Sequence, residues 1–203
     1  MRPKILKEIL RCPEIRSNNR HCSRYSKLAN NLPPLFQKYS NSQKIMLISQ
    51  APSKNAHSNY DLNTVENDFF ERMINIIGIS AKEFQNKIYW THYCKCYPGP
   101  AEGGDKIPNK FCANKFLEKE IAEINPKCII AMGRLSVKWL LNKCLQKSIE
   151  EALNGGCYYN IEGRRIKVIP TLHFGNASRG YRNKYNFPET LNLIKKCLKF
   201  GYK

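Results

Sequence analysis

Residues 111–141 read FCANKFLEKEIAEINPKCIIAMGRLSVKWLL, and the fold turns on this stretch. In Phe111–Ile124 the apolar residues Phe116, Leu117, Ile121 and Ile124 fall on one helical face. Asn125-Pro126 ends that helix, because the residue before a proline is pushed out of the α region. Lys127–Met132 (KCIIAM) follows as a short run that is apolar on both faces, the pattern of a strand buried in a parallel sheet. Gly133 interrupts the run, and Leu135–Leu145 returns to a helical pattern.

The same alternation extends in both directions. Lys44–Ser49 (KIMLIS), Ile88–His92 (IYWTH) and Ile166–Thr171 (IKVIPT) are further strand-like runs, and Val65–Ile77 and Pro188–Phe200 are further helical patterns. Strands alternating with helices predict a three-layer α/β/α sandwich with a central four-stranded parallel sheet. In such sheets ligands sit beyond the carboxyl ends of the strands. That rule selects the loops Gln50–Asn63, His92–Asn109, Gly133–Arg134 and Leu172–Arg179. There are no internal repeats, and the Pro/Gly-rich stretch Tyr97–Pro108 is a loop rather than a linker. Residues 1–203 are therefore expected to form one domain, with 1–43 as an N-terminal segment.

Composition narrows the function. The chain has 203 residues, 42% of them hydrophobic and 11% aromatic, which suits one packed domain and argues against disorder. No run approaches the ~20 apolar residues of a membrane span. The start, MRPKILKEILRC, is too interrupted for a secretory signal. A soluble monomer is expected, cytoplasmic (nucleoid-associated) or nuclear and not secreted. The charge is +18, from 34 Lys and Arg against 16 Asp and Glu. It is concentrated at the ends: residues 1–44 hold ten Lys or Arg against Glu8 and Glu14, and 179–203 hold seven against Glu189. Such an excess is the footprint of a polyanionic partner, nucleic acid above all. A plain solubilising surface is the blander alternative. A membrane surface is disfavoured, since no clear interfacial helix accompanies the charge.

Three constellations carry chemistry. Ser49-Gln50-Ala51-Pro52-Ser53 follows the first strand with small residues that let the backbone approach a ligand. His173 leaves the last strand in Leu172-His173-Phe174-Gly175-Asn176-Ala177-Ser178-Arg179, a place suited to catalysis or merely to strand capping. The nine cysteines, read without assuming disulfides, suggest a metal site plus buried thiols. Cys96 lies in Lys95-Cys96-Tyr97-Pro98, Cys112 opens a helix, and Cys12 and Cys22 lie in the basic N-terminal segment. Four thiolates from separate segments can hold a cubane iron–sulfur cluster. Zinc is the other option, though its paired C-x₂₋₄-C knuckles are absent.

Together these stretches resemble the uracil-DNA glycosylase superfamily, specifically its iron–sulfur branches known as families 4 and 5. The likeness runs from about Cys12 to the last helix and is most specific over Ile88–Leu141. SQAPS resembles the family's first motif and LHFGNASR its second. The spacing from Cys96 to Cys112 is that of the family's second pair of cluster ligands. The resemblance implies removal of a deaminated base, uracil or a relative, from DNA, as in base excision repair. It implies a 4Fe-4S cluster held by Cys12, Cys22, Cys96 and Cys112, with Cys94 as a substitute ligand. It makes His173 the donor to the base carbonyl and gives Gln50 and Ala51 the tasks of lining the pocket and orienting water. Asp61, or Asp68, would activate that water, because Ala51 stands where the main uracil-specific branch has Asp. Pro52, Ser53 and Tyr60 would meet the base, with Leu62 competing for the Tyr60 place. Ser178 and Arg179 would contact DNA. His92 stands where relatives usually have the Asn that reads uracil, so hypoxanthine or another damaged base is the alternative substrate. Cys12 and Cys22 are spaced more widely than the family's usual C-x₂-C. A non-catalytic DNA-binding relative and a covalent trap using a pocket His are the alternatives to a monofunctional glycosylase.

Overall fold

The computed structural model describes residues 4–12, 37, 39–54, 56, 68–144, 152, 156–174 and 187–200. Its elements in chain order are α1 (Lys4–Leu10), β1 (Ile45–Ser49), α2 (Asp68–Ile77), α3 (Ala81–Lys87), β2 (Ile88–His92) and a small hairpin of β3 (Pro100–Ala101) and β4 (Gly104–Asp105). A π-helical turn, Ala113–Leu117, then leads into α4 (Glu118–Ile124). β5 (Cys128–Met132), α5 (Arg134–Leu141), β6 (Cys157–Ile161), β7 (Arg164–Thr171) and α6 (Phe187–Phe200) complete the order.

The main sheet runs β2-β1-β5-β7-β6. Its first four strands are mutually parallel and are the four read from the sequence. The expected four-stranded sheet gains a fifth strand, β6, which pairs antiparallel with β7 at the edge. A tight turn makes this possible: Glu162 and Gly163 both adopt positive φ (48° and 75°), as two-residue hairpins require.

Alternate residues of each central strand feed two cores. Ile45 and Leu47 of β1, with Cys128, Ile130 and Met132 of β5, pack against α2, α3 and α6. Met46, Ile48, Ile129 and Ala131 face the other way, onto α1, α4 and α5. The sandwich is thus three-layered, as the apolar-on-both-faces runs imply. α3 begins at Ser80, whose hydroxyl accepts from the Glu83 N–H at 3.1 Å, a cap that fixes where the chain turns toward β2. On the opposite face α1 buries Ile5, Leu6 and Ile9, and its first N–H groups, those of Lys4 and Ile5, donate to the Glu123 carboxylate of α4.

Candidate active site

The parallel register brings the strand ends level. Ser49 pairs with His92 and Met132 with Thr171. Pairing continues past the strands, with Tyr93 N–H donating to the Ser49 carbonyl at 2.7 Å and Gly133 N–H to the Thr171 carbonyl at 2.9 Å. Beyond these ends lies a cavity of about 520 Å³. Gln50–Ser53, His92, Arg134, Leu135 and His173 wall it, together with Asp105–Pro108 from the loop after β2.

Gly133 sets the spacing of the floor. Its φ of 85° and ψ of 160° suit glycine alone. A β-carbon there would stand 3.2 Å from Gln50 Cγ and 3.5 Å from His173 Cδ2, so both side chains close over the bare backbone. The Gln50 amide oxygen accepts from the Leu135 N–H at 3.4 Å, in the first turn of α5. Phe69 of α2 stacks on the His173 ring with centroids 4.9 Å apart. His92 shares its strand face with Trp90, their rings 5.6 Å apart, and is only 1% exposed. Trp90 is held in turn by its indole N–H donating to Ser49 Oγ at 2.9 Å.

Behind His92 lies a charged network removed from water. Lys95 and Glu120 are each 0% exposed and form an ion pair. The Lys95 ammonium also donates to Thr91 Oγ1 at 2.6 Å and to the His92 carbonyl at 2.7 Å. The Glu120 carboxylate accepts from Tyr89 Oη at 2.7 Å and from Thr91 Oγ1 at 3.0 Å. All three ammonium protons have acceptors, the condition under which a buried charge is tolerable. The network locks the end of β2 to α4 and to the cysteine-bearing loop.

Of the residues singled out from the sequence, Gln50, Ala51, Pro52, Ser53, His92 and His173 meet at this one cavity. Tyr60, Asp61, Leu62, Ser178, Arg179 and Cys22 lie outside the described residues. Asp68 begins α2. Asp105 was overlooked: among the described residues it is the carboxylate on the cavity wall, and it accepts from Tyr97 Oη at 2.8 Å. That bond, after burial, holds the Tyr97 phenol above its usual range. The signal was its place in a loop that the strand-end rule had already selected. Phe69 and Trp90 were overlooked because apolar periodicity alone marks them as core.

The thiols of Cys12, Cys94 and Cys112 lie on the α1 face. Cys12, Cys94 and Cys112 belong to one buried cluster, and Cys96 is buried beside them in sequence. The hydrogen bond to Cys94, then burial, pushes the Cys112 thiol well up, while Lys95 acts in the opposite sense. An all-sulfur donor set suits iron held as a cluster. Among the described residues no three donors close on a metal position, and Cys22, the fourth expected ligand, is not one of them. No helix among the described residues is long and apolar enough to cross a membrane.

A protein described as a type-4 uracil-DNA glycosylase, from Saccharolobus solfataricus, is 30% identical over 134 residues, which cover 64% of this chain and 60% of that protein. The chain therefore matches less than two thirds of that relative's length. The family model for the uracil DNA glycosylase superfamily matches residues 36–198. Because that match runs through every strand of the sheet and every residue of the cavity wall, the chain belongs to the uracil-DNA glycosylase superfamily.

Proposed function

We propose that this protein is a DNA glycosylase that flips a deaminated base, uracil or a relative such as hypoxanthine, out of DNA and hydrolyses its N-glycosidic bond. The observation that carries the reading is the convergence of Gln50, His92 and His173 on one cavity at the carboxyl ends of the parallel strands. Flipping costs a few kcal/mol, and the basic chain ends, with Ser178 and Arg179, would offset it through phosphate contacts. As the bond breaks, the sugar becomes oxocarbenium-like and negative charge grows on the departing base. His173, braced by Phe69, donates a hydrogen bond to the base carbonyl where that charge collects. Gln50 orients the attacking water, and Ala51 leaves room for it without supplying a base. Asp61, or Asp105 on the described wall, takes up the water's proton. His92 reads the polar edge of the base, while Pro52, Ser53 and Tyr60 shape the pocket around it. Cys12, Cys22, Cys96 and Cys112 would hold a 4Fe-4S cluster, which supplies a structural brace and no chemistry to hydrolysis.

The test is single-turnover base release from oligonucleotides carrying uracil, hypoxanthine or xanthine. At least one base is released, and His173→Ala slows that release by about 10²–10³-fold. Absence of release from all three, with tight salt-dependent DNA binding retained, would favour the non-catalytic reading. A denaturation-resistant DNA adduct that His92→Ala or His173→Ala abolishes would favour the covalent trap. The isolated protein carries about four irons; stoichiometric zinc in their place would overturn the cluster.

A further inference from the structure

We propose that Cys144 and Cys157 are an oxidative modification site, in which a hydroperoxide converts the pair to an intramolecular disulfide that pins the end of α5 to β6. The two sulfurs lie 2.9 Å apart, inside the contact distance of two independent thiols. Cys144 is bridged antiparallel to Tyr159, so the backbone carrying one thiol is already in register with the strand carrying the other. Forming a bond of ~2.05 Å asks the sulfurs to approach by only about 0.9 Å. Cys144 is partly exposed, which gives a small oxidant a route to the pair.

The electrostatics assign the roles. The hydrogen bond shared with Cys144, supported by the nearby Lys167 ammonium, holds the Cys157 thiol below its usual range against the effect of burial. The same bond and burial push the Cys144 thiol up. The Cys157 thiolate attacks one peroxide oxygen, the O–O bond breaks, and the departing hydroxide takes up a proton as water. Cys157 is then a sulfenic acid. The Cys144 sulfur attacks it, the S–S bond forms, the S–O bond breaks, and hydroxide leaves with the Cys144 proton as a second water. Two thiols lose two electrons and one hydrogen peroxide becomes two waters.

A second close pair serves as an internal contrast. Cys128 on β5 and Cys197 on α6 lie 3.4 Å apart and are both buried, and the hydrogen bond to Cys197, then burial, holds the Cys128 thiol well up, so peroxide is expected to leave this pair reduced.

The experiment treats the full chain with hydrogen peroxide, denatures it, alkylates remaining thiols and maps unreduced peptides by mass spectrometry. Peptides holding Cys144 and Cys157 emerge linked, while Cys128 and Cys197 emerge alkylated. Oxidation also raises the unfolding midpoint by about 5–10 °C, and Cys144→Ser abolishes the shift. Separate alkylation of Cys144 and Cys157 after peroxide overturns the proposal, as does linkage of either to another cysteine or an equal shift in Cys144→Ser. Neither the Cys144–Cys157 linkage nor the difference in midpoint between oxidised wild type and oxidised Cys144→Ser depends on base-release activity, and cluster loss would affect both proteins alike.

Discussion

Gly133→Ala tests whether the cavity floor positions the groups above it. The new methyl would stand 3.2 Å from Gln50 Cγ, 3.3 Å from its Cδ and 3.5 Å from His173 Cδ2. Carbon atoms rest at about 3.5–4.0 Å, so Gln50 must retreat by roughly half an ångström. Its bond to the Leu135 N–H, already 3.4 Å long, cannot survive that retreat. The backbone adds its own cost, because a φ of 85° with ψ of 160° is strained for alanine by about 1–3 kcal/mol. For a chain of this size that lowers the unfolding midpoint by about 2–10 °C. Misplacing a water-orienting amide and a hydrogen-bond donor by a fraction of an ångström slows the chemistry by about 10–100-fold. Thermal unfolding and single-turnover base release, measured on the same preparation, read the two effects separately. A variant that unfolds earlier yet releases base at the wild-type rate would refute the claim that Gly133 sets the position of Gln50 and His173.

Lys95→Met leaves the Glu120 carboxylate buried without its cation and destabilises the fold by about 3–5 kcal/mol, whereas the double change Lys95→Met/Glu120→Leu recovers most of that loss. Denaturant unfolding of both variants checks it, and equal losses in the two would show that the pair is not the source. Glu118 is held below its usual carboxylate range by Lys143, at 2.9 Å, and secondarily by Tyr159, at 3.1 Å, while burial opposes both. A depressed carboxylate contributes stability that is present above its unfolded value, near 4.5, and is lost as pH falls through its folded value. Glu118→Gln is therefore less stable than wild type at neutral pH, and the two converge in acid; melting curves that stay parallel from about pH 7 to pH 3 would contradict the assignment.

The parallel core was legible because burial on both faces leaves a run with no polar alternation, as in Cys128–Met132 and Ile45–Ser49. β6 was not, because its Tyr158 and Asn160 face outward and its turn uses Glu162-Gly163 rather than the commoner Asn-Gly. α3 left a readable sign in Ser80 followed by Glu83, masked by the brevity of the helix. At the site, element order selected the loops that carry Gln50, His92 and His173, and the family resemblance singled out Gln50 and His92 within them. The contacts that hold them were not legible. Phe69 reaches His173 across the layers, and Lys95 reaches Glu120 from a loop to a helix. Such partners are set by packing between segments distant in sequence, which no local pattern encodes.

The outer margin of β2 bears on how the chain behaves in a crowded solution. Its outward-facing groups are a template for a foreign strand unless something occupies them. Gln37 takes both polar groups of Trp90, its side-chain oxygen accepting from the N–H at 2.7 Å and its own N–H donating to the carbonyl at 3.2 Å. The Ile88 N–H is spoken for by the Phe84 carbonyl at the end of α3, and the His92 carbonyl by Lys95. Three unrelated segments thus each claim one rung of the ladder. Among the described residues no added strand covers this margin, yet these bonds leave a foreign strand few open positions, and Lys95, ion-paired beneath His92, occupies one of them.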